Sequence, residues 1–192
     1  MEHFYQTVGE DWMDFQELYS DMVSIFVDGS HFVEVGSWKG RSASYMGVEI
    51  YNSEKQIKFD CVDTWLGSVE HHDINSPFFV QELIDDKDWL YYQFLNNTRP
   101  VCDIINPIRL SSLDAVNQYP NRSLDFVFID ASHEYNDVKK DILSWYPKIK
   151  KGGFIAGHDY TTFDGVKQAV DELIINKKMN CSLIKSYWIH KK

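Results

Sequence analysis

Leu124-Asp125-Phe126-Val127-Phe128-Ile129-Asp130 is a near-continuous apolar run that ends on a carboxylate. Unbroken apolarity over a strand's length predicts burial on both faces, as in a parallel sheet covered by helices. Downstream, Val138, Ile142, Trp145 and Tyr146 mark a helix closed by Pro147 and Gly152-Gly153. Residues 154–156 then read as a strand running into Gly157-His158-Asp159-Tyr160, residues 166–174 as a helix, and residues 182–184 and 187–190 as a closing strand pair. Upstream, Trp12, Phe15, Leu18, Tyr19, Met22, Val23 and Phe26 recur every three or four positions, predicting a helix over 11–27 with one buried face. Strands follow over 31–35, 56–62 and 103–108, with helices over 41–51, 79–95 and 113–119. Strand and helix alternate at least five times. The predicted class is α/β: a doubly wound, mostly parallel, seven-stranded Rossmann-like sheet with helices on both faces.

The chain has 192 residues, 44% of them hydrophobic and 15% aromatic, enough for one packed core. We expect a single domain over 1–192, with an N-terminal helical cover over 1–30 and a variable insert over 64–100. A formal charge of −10 repels phosphate backbones and anionic lipid, so no nucleic acid and no membrane surface is expected as a partner. Cys61, Cys102 and Cys181 are odd in number and lack metal-ligand spacing, which reads as reduced thiols. Residues 1–10 lack the basic and apolar regions of a signal peptide, and no apolar run nears the ~20 residues of a membrane helix. The expected location is cytoplasmic.

Open α/β sheets bind ligands beyond the carboxyl ends of their strands. Those ends carry Glu34 with Gly36, Asp63, the 110–114 segment, Asp130 with His133, and His158 with Asp159. Any one of these could simply cap the next helix; five at successive strand ends point to a site. The first loop is Glu34-Val35-Gly36-Ser37-Trp38-Lys39-Gly40-Arg41-Ser42. It is one residue too short for a P-loop and has Arg41 where that motif needs Lys. It also lacks the middle glycine of a dinucleotide fingerprint, and Glu34 would oppose a phosphate. A guest with positive charge and no phosphate fits better.

Glu-x-Gly-x-x-x-Gly after a first strand, with an acid ending the second 23 residues past Gly40, resembles class I S-adenosylmethionine-dependent methyltransferases. The stretches 128–135 and 151–160, with Val62-Asp63-Thr64-Trp65 and the helix start at 164–170, resemble the branch that includes macrolide-sugar O-methyltransferases. The resemblance runs from about residue 30 to the C-terminus. It implies that Gly36 and Gly40 let backbone approach the cofactor, with Ser37 and Ser42 beside them, and that Glu34 faces its amino-acid end. It further implies that Asp63 accepts the ribose hydroxyls beside Thr64 and Trp65, and that Ser111 and Ser112 hold the adenine edge.

Methyl transfer to an alcohol needs alignment and a deprotonated acceptor. Asp130 and Asp159 end neighbouring strands, and with His158 they form a candidate site for Mg²⁺. In the resembling branch the acid and histidine of Asp-x-x-His are metal ligand and base, which casts Asp130 also beside the cofactor and His133 as the catalytic base. Those relatives carry two adjacent acids where this chain has His158-Asp159. Three alternatives stay open: Asp159 alone supports Asp130, the metal is a borderline one such as Mn²⁺, or none binds. His71 and His72 read as solvated loop residues, Trp89, Tyr91 and Tyr92 as core, and Lys191-Lys192 as a solvated tail. The expectation is O-methylation of a small hydroxylated, sugar-like acceptor, in a pocket that a homo-oligomer partner could complete. The rivals are a cofactor-binding module without turnover, and a related enzyme such as a hydroxylase using the same crevice.

Overall fold

The computed structural model describes residues 1–175 and 179–192. Its centre is one seven-stranded sheet: β1 (His31–Val35), β2 (Lys58–Asp63), β3 (Ile105–Arg109), β4 (Leu124–Ile129), β5 (Ile149–Gly157), β6 (Cys181–Ile184) and β7 (Tyr187–Lys191). The spatial order is β3-β2-β1-β4-β5-β7-β6. The first five strands are parallel, and β7 joins β5 antiparallel with β6 as its hairpin partner. Chain order reverses between β1 and β4. That is where such sheets open a crevice.

Every residue of β4 is buried. Phe126 and Phe128 join Phe32 in a core shared with α1 (Gln16–Ile25), α2 (Arg41–Ser53) and α5 (Trp89–Asn97). Val127 and Ile129 face the opposite core, with Val33, Val35 and residues of α7 (Tyr135–Trp145) and α8 (Asp164–Val170). The alternation of side chains along a strand therefore serves two helix layers, and each buried Val, Ile or Phe contributes roughly 1.5–3 kcal/mol. Lys55 closes the C-terminal end of α1, donating from Nζ to the carbonyls of Val23, Ser24 and Phe26 at 2.5, 3.0 and 2.7 Å.

Several boundaries differ from the sequence reading. α1 starts at Gln16, five residues late, and Trp12 is 49% exposed. Residues 9–15 are held as an irregular, non-helical strap. Glu10 pairs with Lys39 and Asp11 with Arg41, both at 2.5 Å, and Glu10 also accepts from the Trp38 indole at 3.0 Å. Tertiary anchors here override helical periodicity. The helix expected over 79–95 is broken into α4 (Gln81–Asp85) and α5, because the Asp86 carboxylate turns back to accept from Asp88 N. Before it, Ser68 and His71 cap each other across a one-turn helix, α3 (Val69–His72). The helix expected over 113–119 shrinks to α6 (Ser112–Ala115) and a following 3-10 turn.

β5 begins at Ile149, so Gly152-Gly153 lies inside a strand instead of ending a helix; the register against β4 shifts there. Lys191 is in β7, paired with Phe154 of β5, and Lys192 donates from Nζ to the carbonyls of Tyr146 and Ile149, so the expected solvated tail is tied into the sheet. Tyr92 is exposed, while Trp89 and Tyr91 are partly buried. No helix among the described residues is long and apolar enough to cross a membrane.

Candidate active site

A cavity of about 1060 Å³ opens at the carboxyl ends of the parallel strands. Of the residues singled out from sequence, Gly36, Ser37, Ser42, Asp63, Thr64, Ser111, Ser112, Asp130, His133, His158 and Asp159 line it. Glu34, Gly40 and Trp65 lie behind that lining. The strap at 9–15 and the insert at 67–71 with Phe78 supply the other walls.

Gly36 has φ +89°, and a Cβ there would sit 2.0 Å from the Asp130 carbonyl oxygen. The glycine is required where the ends of β1 and β4 close, with Asp130 N donating to the Val35 carbonyl at 2.7 Å. Gly40 (φ +88°) serves packing: a Cβ would lie 2.6 Å from Thr98 Cγ2. Trp65 is fully buried, its indole donating to the Trp38 carbonyl at 2.9 Å.

Glu34 has no exposure. Its Oε2 accepts from the Tyr19 hydroxyl at 2.6 Å, while Oε1 and the nearby Ser37 Oγ are buried without a hydrogen-bond partner. Burial pushes the carboxyl up to about 7, against the lowering by the Tyr19 hydroxyl. Asp63 Oδ2 accepts from Ser37 N (2.9 Å) and Trp38 N (3.0 Å), and Oδ1 from Trp65 N (2.7 Å). It staples the loop after β1 to the end of β2. Burial raises its pKa, and these backbone bonds oppose the rise. Ser111 caps α6 through Asp114 N, and Ser112 donates to Asp141 and accepts from the Trp145 indole at 2.8 Å. Burial lifts Asp141 to about 6.

Two histidines and two carboxylates form the centre. His133 Nδ1 is hydrogen-bonded to Glu70 Oε1 at 3.1 Å, and its ring stacks on Phe163 with centroids 3.8 Å apart and planes within 1°. Its Nε2 lies 3.1 Å from Asp159 Oδ2. His158 Nε2 contacts Ser186 Oγ at 2.7 Å and Asp14 Oδ1 at 3.1 Å, while Nδ1 lies 3.6 Å from Asp130 and 3.4 Å from Asp159. Burial would lower the pKa of either ring. The surrounding carboxylates outweigh it, raising His133 and lifting His158 to about 11, and both rings hold Asp159 well below the usual carboxylate range. Asp159 is in the left-handed region at φ +63°, a strained position for a non-glycine residue that aims its carboxylate between the rings.

One ligand atom from each of Asp130, His158 and Asp159 lies within 4.8 Å of the others. The donor chemistry fits a divalent cation: two carboxylates and an imidazole whose far nitrogen is already hydrogen-bonded to a carboxylate, as metal-binding histidines usually are. For S-adenosylmethionine, the orphaned Glu34 Oε1 and Ser37 Oγ and the absence of an unpaired cation in the loop fit a guest bringing positive charge.

The sequence reading missed Glu70, Asp14, Ser186 and Asp141. It also placed His71 in solvent, whereas His71 is buried and stacked on Trp38 at 4.3 Å. Glu70 and Asp14 lie 63 and 144 residues from the histidines they contact, and no local pattern marks either.

The comparisons with known proteins bear on the family and the fold. A curated relative, "Uncharacterized protein y4gI" of Sinorhizobium fredii, is 24% identical over 127 residues, which is 66% of this chain but only 13% of that much longer protein. Among solved structures, the O-methyltransferase NovP superposes with a TM-score of 0.68 at 17% identity, over 93% of this chain and 78% of NovP. The O-methyltransferase of Bacillus cereus in complex with SAH superposes with a TM-score of 0.60 at 13% identity, over 93% of this chain and 79% of that one. The methyltransferase-domain family matches residues 33–160, from the first strand through the histidine-carboxylate centre. The chain belongs to that methyltransferase-domain family and has the fold of the class I methyltransferases.

Proposed function

We propose that this enzyme methylates a hydroxyl oxygen of a small, sugar-like acceptor, with His133 as the base and a divalent cation held by Asp130, His158 and Asp159. The observation that carries this reading is the placement of His133. Its outer nitrogen is hydrogen-bonded to Glu70, its ring is clamped on Phe163, and its inner nitrogen faces the cavity beside Asp159.

The acceptor class follows from charge and shape. Every described lysine and arginine lining the cavity is already paired: Lys39 with Glu10, Arg41 with Asp11, Lys140 with Asp137. No cation is left over for a phosphate or carboxylate, which favours a neutral acceptor. Trp12, Trp38 and Phe78 form an aromatic wall at the mouth, with Trp12–Trp38 and Trp12–Phe78 centroids each 6.2 Å apart. Such a wall can cover the apolar face of a sugar ring.

Gly36, Ser37, Ser42, Asp63, Ser111 and Ser112 would hold S-adenosylmethionine, with the Glu34 carboxyl buried behind them; the cofactor would supply an electrophilic methyl on a positive sulfonium. A bound divalent cation would supply charge to lower the acceptor hydroxyl's pKa. His133 Nε2, at the cavity beside Asp159, would accept the hydroxyl proton. Glu70 then balances the imidazolium at Nδ1, and Phe163 keeps the ring from rotating. The strap and the insert restrict water over the reacting atoms.

The test is calorimetric titration with S-adenosylhomocysteine, paired with turnover on a panel of sugars and glycosides. His133→Ala should keep the wild-type affinity for S-adenosylhomocysteine and lose at least a hundredfold in turnover. Equal turnover in both proteins removes His133 from the role, and no binding by the wild type removes the cofactor assignment.

A further inference from the structure

We infer that Asp14 and Ser186 are positioning residues for the cation site. They hold the His158 ring with Nε2–H turned outward and Nδ1 turned on Asp130 and Asp159, giving a mixed nitrogen-oxygen donor set that prefers Mn²⁺ to Mg²⁺. The inference rests on the proposed role of Asp130, His158 and Asp159 as ligands.

The three groups come from separate parts of the fold: Asp14 from the strap, His158 from the end of β5, and Ser186 from the turn between β6 and β7. The Ser186 hydroxyl donates to Asp14 Oδ1 at 2.7 Å. Its proton is thereby committed, so toward His158 Nε2, also 2.7 Å away, Ser186 Oγ can only accept. Asp14 Oδ1, 3.1 Å from Nε2, is a second acceptor for the same N–H. Nε2 therefore carries a proton.

Nδ1 faces two carboxylates at 3.4 and 3.6 Å, close enough for a cation in its place to be shared with both. The ring cannot easily turn away. Its side chain is 9% exposed and lies edge-on to Phe15, with centroids 4.9 Å apart, and Lys185 Nζ ties down the Asp14 carbonyl at 3.2 Å. A cation bound there would displace the Nδ1 proton, and the imidazole nitrogen so freed would suit Mn²⁺ better than Mg²⁺, which demands oxygen ligands. Outer partners of metal-binding histidines commonly matter by 10–100-fold in affinity.

The experiment is titration of the full-length protein with Mn²⁺, followed by electron paramagnetic resonance and with Mg²⁺ as competitor. Wild type should bind Mn²⁺ at least tenfold more tightly than Mg²⁺, with nitrogen coupling from one imidazole in the pulsed spectrum. Asp14→Ala should weaken Mn²⁺ binding 10–100-fold, and Asp14→Asn, which keeps an oxygen acceptor for Nε2–H, should restore most of it. Ser186→Ala, the milder variant, should weaken it a few-fold. His158→Asp should lose the nitrogen coupling and reverse the preference toward Mg²⁺. Unchanged Mn²⁺ affinity in both Asp14→Ala and Ser186→Ala overturns the positioning role alone. Equal wild-type affinity for the two ions overturns the selectivity, and no Mn²⁺ binding by wild type overturns the ligand assignment beneath both.

Discussion

Replacing Glu34 by Gln should stabilise the protein above neutral pH and leave it unchanged in acid. Glu34 is completely buried, and its folded pKa stands at about 7 against an ordinary value of 4.5, raised chiefly by burial. Below pH 4.5 the carboxyl holds its proton in both the folded and unfolded chain, so it contributes no pH dependence. Between 4.5 and about 7 the folded protein keeps a proton that the unfolded chain has released, so stability falls as pH rises. Above about 7 the full cost is present. That interval, at about 1.4 kcal/mol per pH unit, comes to roughly 3 kcal/mol. Gln preserves the shape and an oxygen for the Tyr19 hydroxyl, now 2.6 Å from Oε2, and does not titrate. Urea denaturation of both proteins from pH 5 to 9 isolates this one group, because every other titration is shared. The difference in unfolding free energy should open with rising pH to roughly 3 kcal/mol by pH 8. Parallel stability curves over the whole range would refute the reasoning.

Gly36→Ala should lose at least about 3 kcal/mol or fail to fold, because the new Cβ meets a backbone carbonyl at 2.0 Å in a left-handed conformation; urea midpoints or soluble yield report it. Asp60 accepts from His31 (2.7 Å), Tyr119 (2.7 Å) and Asn106 (2.8 Å), so Asp60→Ala should cost roughly 2–4 kcal/mol at pH 7 by the same denaturation assay. Burial raises the Asp60 pKa but its three donors more than offset this, so its contribution is present above the ordinary carboxylate pKa and lost as pH falls through the lower folded value. Glu70→Gln should lower kcat about tenfold or more with little change in S-adenosylhomocysteine affinity, since Glu70 touches only His133 Nδ1 at the centre; a change confined to KM would argue against its role.

The sheet was readable because its signal is local. The 124–129 run is buried on both faces, and a sequence window already contains all the information needed for that inference. The carboxyl-end residues followed from the strands, and most of them line one cavity. The glycines show where such reasoning stops. Gly36 and Gly40 were read as openings for a cofactor, but the collisions that require them are with Asp130 and Thr98, residues distant in sequence. The start of α1 failed for a related reason. Trp12 and Phe15 continue the helical period, yet Lys39 and Arg41 capture the two acids just before them, and the chain follows the ion pairs. Exposed ion pairs contribute only about 0–1 kcal/mol each, but a helix end costs little to unwind, so small tertiary terms decide it.

That displaced strap changes how the centre should be understood. Asp14 reaches His158 from the non-helical strap at residues 9–15, ahead of α1. Asp14 and Ser186 both fall outside residues 33–160, the part of the chain shared with the methyltransferase-domain family, whereas Asp130, His133, His158 and Asp159 fall inside it. Glu70, though within that span, stands on the one-turn α3 of the insert. Each histidine of the centre therefore takes one nitrogen's partner from a segment appended to the strand ends, and both direct the other nitrogen at Asp159. The sheet supplies the strand-end residues, while the appended segments supply the outer hydrogen-bond partner of each ring. Changes in the strap or insert can thus retune the chemistry while every strand-end residue stays in place.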